Sequence, residues 1–97
     1  MKANFDTEIL GLDGNAIKEN GKSVMLKSAV VNILMLTDPK AEETGEQKLK
    51  LFNLANKVMQ CDAQTDYSAE ELALIKERVG KYGTSLVVGR VFAAIGG

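Results

Sequence analysis

Histidine is absent from the 97 residues, and cysteine occurs once, at Cys61. The first absence removes the imidazole that most often serves as general base or as partner to a nucleophilic thiol. The second excludes an intramolecular disulfide and fits a reducing compartment better than secretion. A lone cysteine closing a helical pattern is read as a small core hydrophobe. Charge of either sign is not in excess: 12 Lys plus Arg face 13 Asp plus Glu, a formal net charge of −1. The chain therefore has no global field to draw it onto nucleic acid or an acidic membrane. Long apolar runs are missing too. The two longest, residues 29–36 with Asn32 inside and 86–95 with Arg90 inside, are too short to span a bilayer. The opening Met-Lys-Ala-Asn-Phe-Asp-Thr-Glu lacks the apolar stretch of a signal peptide. A soluble, cytoplasmic protein is the expectation, with no membrane association and no cofactor.

What is present is enough for one core. A hydrophobic fraction of 45% with 26% charged residues belongs to a folded chain, because a disordered one is poorer in apolar residues and richer in net charge. The length allows one domain over residues 1–97. A core of this size leaves only a few kcal/mol of net stability, and with no disulfide framework the remaining common reinforcement is oligomerisation.

Residues 5–12 place Phe5, Thr7 and Ile9 in alternation with Asp6 and Glu8, and Asp13-Gly14 follows. That dipeptide supplies positive φ angles for a hairpin turn, so a strand over residues 5–12 and a return over 15–18 are predicted. Asn20-Gly21 offers a second turn, with a short extended segment after it. From residue 27 the spacing of Ala29, Val30, Ile33, Leu34 and Leu36 predicts a helix weakly capped by Ser28. Asp38-Pro39 sets its end near Thr37, because a residue before proline is pushed out of the helical region. Residues 39–45 read as an exposed polar loop. A second helix over residues 46–60 turns Leu51, Leu54, Ala55, Val58 and Met59 inward, with Phe52 at the flank and Lys48, Lys50, Asn53 and Lys57 toward water. Ser68-Ala-Glu-Glu71 is a capping box. It opens a third helix over residues 69–79 with Leu72, Ile75 and Val79 inward, which Gly80 or Gly83 stops in the left-handed conformation. Thr84 or Ser85 caps a fourth helix, residues 86–95, in which Arg90 is the single charge. A helix so apolar is expected to be covered on nearly all sides, by its own domain or by another subunit. The fold class is α+β and mostly helical: an N-terminal β-hairpin region, residues 1–26, and about four short helices over residues 27–97.

Candidate chemistry is sparse. Asp6 with Glu8, or Asp13 with Glu19, are explained by a polar strand face and turn geometry. Asp38, Glu42, Glu43 and Glu46 lack the alternating ligands and terminal glutamate of a calcium loop, so no metal site is expected and these residues read as a solvated loop. Gly80-Lys-Tyr-Gly-Thr-Ser85 places glycines, a lysine and hydroxyls before a helix N-terminus. This makes Lys81, Thr84, Ser85 and Arg90 candidates for anion binding, although the order of a P-loop is missing. The same segment outlines a helix-turn-helix, but Leu86, Val87, Val88, Val91, Phe92 and Ile95 offer nothing to base edges; nucleic acid is an unlikely partner. Met25, Met35 and Met59 are read as core filler.

Taken in order, Phe5-Asp-Thr-Glu-Ile-Leu-Gly-Leu-Asp-Gly-Asn-Ala-Ile-Lys18, Val24-Met-Leu-Lys-Ser-Ala-Val-Val-Asn32 and Glu70-Glu-Leu-Ala-Leu-Ile-Lys-Glu-Arg-Val-Gly-Lys81 resemble small tailed-phage or prophage proteins. In these a leucine-aspartate-glycine hairpin precedes three or four short helices. The resemblance implies a phage context, hence the host cytoplasm, and carries over no catalytic or binding residue. The expected function is that of a noncatalytic protein that binds a protein partner, a homo-oligomer in the first instance, serving phage assembly or modulating a host protein. Leu86, Val87, Val91, Phe92 and Ile95 are the candidate core or interface residues, with Phe5 and Ile9 packing the hairpin. The alternative is a small module for nucleic acid or a phosphorylated ligand, built on residues 80–90.

Overall fold

The computed structural model describes residues 1–36, 40 and 42–96. It shows a short antiparallel hairpin of β1 (Lys18–Glu19) and β2 (Lys22–Ser23), then α1 (Leu26–Leu34), α2 (Gly45–Met59), α3 (Ala69–Tyr82) and α4 (Ser85–Ile95). The mostly helical α+β reading of the sequence is the observed architecture.

The hairpin forms around the second of the two expected turns. Lys18 faces Ser23 and Glu19 faces Lys22, joined by Asn20 and Gly21 at φ of 51° and 79°. These are the two positive values that a two-residue turn requires. At the first turn only Gly14 is positive, at 83°. The Asp13 carboxylate accepts from the Asn15 amide at 3.0 Å, a side-chain turn that holds Asp13 at negative φ. A three-residue loop results, closed by bonds from the Gly14 amide to the Gly11 carbonyl and from the Gly11 amide to the Asn15 carbonyl. The predicted strand over residues 5–12 is reduced to single bridges, Glu8 with Met25 and Leu10 with Ala16. Ile9 joins these short segments: its amide donates to Val24 and its carbonyl accepts from Ile17.

α1 runs through the middle of the molecule and packs against the other three helices. It begins after Met25, with no side-chain cap, and its backbone cap lies at Met35, so the Ser28 cap and an end near Thr37 are both displaced; Thr37 and Asp38-Pro39 lie outside the described residues. α2 opens on a capping box at Thr44 and Gln47, a pattern as legible in the sequence as the one at Ser68. α3 has the expected box, with the Ser68 oxygen accepting from Glu71 and the Glu71 carboxylate from Ser68. It continues through Gly80 to Tyr82 and ends at Gly83, whose φ of −82° is extended rather than left-handed. Gly83 is required by proximity instead: a Cβ there would lie 2.7 Å from the Val79 carbonyl oxygen. The left-handed glycine follows α4, at Gly96.

One core gathers Leu26, Val30 and Leu34 of α1, Leu54 and Val58 of α2, Ile75 and Val79 of α3, and Val91 of α4. The N-terminal segment enters it directly. Phe5 is fully buried and meets the Tyr67 ring edge-on, centroids 5.6 Å apart. Cys61 is buried in the same cluster. Burial, with the Cys61 thiol beside it, pushes the Tyr67 hydroxyl well above its ordinary pKa. Among the described residues no helix is long and apolar enough to cross a membrane.

Candidate interaction surface

The fourth helix, whose residues are the core or interface candidates, is covered on its inner face by its own domain. Val91 is its one fully buried residue, while Leu86, Val87, Phe92 and Ile95 are half-buried against α1 and α3. The positions that face water, Ser85, Gly89 and Ala93, recur every fourth residue along one face. Small side chains there leave little apolar surface to cover. The helix reads as almost wholly apolar because its outer face is made small rather than charged. Phe92 is further shielded by the Lys76 ammonium, 5.4 Å from its ring centre.

The candidate anion residues do not converge. Lys81 lies along an open cleft between α2 and α3 with a volume of about 520 Å³. Ser85 and Arg90 line a separate depression next to Leu12. The Thr84 hydroxyl accepts from the Val87 amide as the cap of α4. Arg90 donates from Nε to the Leu10 carbonyl and from Nη2 to the Gly11 carbonyl, both at 2.8 Å. Its planar fork thus ties the first hairpin loop to α4, bonding the Leu10 carbonyl and giving the Gly11 carbonyl a second donor besides the Gly14 amide. Replacing Arg90 with alanine is expected to cost about 1–3 kcal/mol, the scale of hydrogen bonds to a charged group. Lysine should recover little, since one ammonium does not reproduce the fork. Urea denaturation of the two variants checks this, and equal stability of Arg90→Lys and the parent chain would remove the claim.

The cleft between α2 and α3 holds a buried ion pair. The Arg78 guanidinium binds the Glu43 carboxylate, and the side chains are only 8% and 10% exposed, respectively. Residue 43 therefore does not belong to a solvated loop, as the sequence suggested: the carboxylate folds inward because a buried guanidinium needs a counter-charge. Nearby, Lys57 pairs with Glu71 at 2.9 Å and stands 4.9 Å from the Tyr67 ring centre. Burial works against ionisation of Glu71, but the bonds from the Ser68 amide and Lys57 prevail and hold its carboxyl below the ordinary value.

Four large apolar side chains at the C-cap of α1 and on α2 are left in water, and Met1, Leu10, Leu12, Ile17 and Leu36 are exposed as well. Met35, Leu49, Phe52 and Met59 are 52%, 57%, 50% and 45% exposed. A shallow groove of about 160 Å³ runs between the two helices, lined by Val31, Met35, Phe52, Ala55, Asn56 and Met59. α2 thus carries two apolar stripes. Leu51, Leu54, Ala55 and Val58 face the core, and Leu49, Phe52 and Met59 form the second stripe, turned outward. Met35 and Met59 are consequently surface residues rather than core filler. The second stripe escaped the sequence reading because a broad apolar helix face was assigned wholly to the interior. A 3-4-3 spacing from Leu49 through Phe52 and Asn56 to Met59 was the available signal.

Comparison with protein-family models, curated proteins and solved structures finds no match.

Proposed function

We propose that this chain is a noncatalytic interaction protein that self-associates, acting in phage assembly or in the modulation of a host protein. The observation that carries the reading is the groove between α1 and α2, where Met35, Phe52 and Met59 stand about half exposed, with Leu49 also exposed on α2. Apolar surface gathered in this way, rather than scattered singly, marks a contact site. The phage setting is supported by the resemblance of the hairpin and helix segments described above.

The test is the mass in solution of the full chain across the micromolar range. A mass above that of one chain, falling on dilution, is expected. Phe52→Ala should weaken association by about 2 kcal/mol, roughly thirtyfold in Kd, as an aromatic anchor at an interface does. The far-UV spectrum should stay unchanged, because Phe52 is half exposed. A wild-type chain that stays monomeric throughout would overturn the proposal.

A further inference from the structure

We propose that Asn20 is a site of spontaneous modification, where the backbone nitrogen of Gly21 displaces the side-chain amide and turns residue 20 into aspartate and isoaspartate. The inference does not depend on the groove between α1 and α2.

The chemistry needs an asparagine carboxamide followed by a backbone nitrogen that no side chain crowds. The Gly21 nitrogen attacks Cγ of Asn20, the Cγ–Nδ2 bond breaks, and ammonia leaves with the proton from the Gly21 nitrogen. Water then opens the cyclic imide. Attack at Cγ gives aspartate; attack at the backbone carbonyl carbon gives isoaspartate, in which the main chain runs through Cβ and Cγ. Water is the only reactant consumed and ammonia the only group lost, with no change of oxidation state.

The sequence singles out this position. Asn4, Asn15, Asn32, Asn53 and Asn56 precede Phe5, Ala16, Ile33, Leu54 and Lys57, whose side chains crowd the attacking nitrogen, whereas Asn20 precedes a residue with no Cβ. The fold leaves the site open. Asn20 and Gly21 are exposed, and a Cβ built on Gly21 would meet nothing within 4 Å. Ring closure rotates the Asn20–Gly21 peptide, so the bonds beside the turn have to open first. Little opposes this: β1 and β2 have two residues each, residues 18–22 are all exposed, and so short a ribbon is marginal in water.

Asp13-Gly14 is the corresponding pair in the first turn, and it is guarded. The Asp13 carboxylate accepts from the Asn15 amide at 3.0 Å and from the Asn15 side chain at 3.3 Å. These bonds hold its carboxyl below the ordinary value, and an ionised carboxylate resists attack by a nitrogen. Arg90 also ties residues 10 and 11 of that loop to α4. The two turns thus differ in durability. Isoaspartate at residue 20 would add an atom to the turn that sets Lys18 against Ser23 and Glu19 against Lys22, which breaks the pairing. Aspartate keeps the turn and adds one negative charge.

The test is to warm the full chain in mildly alkaline buffer, below its melting temperature, and to follow its mass over time. A gain of one dalton is expected, placed at residue 20 by fragmentation and divided between two products that electron-transfer fragmentation tells apart as aspartate and isoaspartate. Asn20→Gly keeps a turn-forming pair and should gain nothing. A folded chain whose mass stays constant overturns the proposal, whether or not the chain unfolded in urea reacts. A first gain at another asparagine, or a gain that persists in Asn20→Gly, overturns the assignment to Asn20. Isoaspartate appearing at residue 13 as fast as at residue 20 overturns the contrast between the turns.

Discussion

Replacing Arg78 with alanine is expected to destabilise the fold by about 3–5 kcal/mol, the cost of leaving one member of a buried ion pair without the other. A chain of this length has a total of roughly 5–15 kcal/mol, so much of the population unfolds on modest heating. The cause lies in the surroundings of Glu43, whose side chain is 10% exposed and has Arg78 as its ion-pair partner. Arg78 also donates to the Leu36 carbonyl and lies 5.0 Å from the Tyr82 ring; alanine removes both contacts. The buried Nε has no partner among the described residues, which makes the site less than ideal. A pair of this kind stabilises little relative to a well-packed apolar pair. The double variant Arg78→Met, Glu43→Leu should therefore recover most of the loss, and thermal melts of the two single variants and the double form the cycle that checks it. If the double variant is as unstable as the sum of the singles, the ion pair is not the source.

Phe5→Ala should cost about 3–5 kcal/mol through the lost burial and the cavity left behind. Phe5 has no exposed surface, and its carbonyl accepts from the Lys27 amide at the start of α1, so the ring and the backbone fix the N-terminal segment together. Phe5→Leu, which keeps most of the volume, should cost less than about 1.5 kcal/mol. The edge-on contact with Tyr67 adds about 1 kcal/mol beyond area. A cycle of Phe5→Leu with Tyr67→Leu in urea isolates that coupling. Zero coupling would mean that the two rings contribute by burial alone.

Three of the four helices carry their own punctuation, while α1 is marked by apolar spacing alone. Ser68 and Glu71 mark the start of α3, and the apolar spacing of Leu72, Ile75 and Val79 gives its inner face. Thr44 and Gln47 carry the same signal for α2. The hairpin was legible in kind but not in place. Asp13-Gly14 and Asn20-Gly21 are both good turn formers; at the first, the Asn15 amide donates to the Asp13 carboxylate and a three-residue loop forms, while the two-residue turn forms at the second. Glu43 and Arg78 were not legible as a pair, because they are 35 residues apart and each alone looks like a surface charge. Arg90 gave no local sign that it would serve the backbone of residues 10 and 11. The residues of α4 read as core or interface because so apolar a helix needs cover; Leu86, Val87, Phe92 and Ile95 pack against the chain's own core, and Ser85, Gly89 and Ala93 keep the outer face small. Composition counts apolar residues but not which of them are large and turned outward, as Leu49, Phe52 and Met59 of α2 are.

The bonds that join distant parts of the chain also set an order of events. Residue 1 is held by Asp66 and Tyr67, Phe5 by Tyr67, and residues 10 and 11 by Arg90. During synthesis these early residues emerge long before their partners exist, and closing loops of that length is slow compared with winding a helix. This segment must therefore wait for its later partners, with the Phe5 ring lacking Tyr67 and residues 10 and 11 lacking Arg90 until those residues have been made.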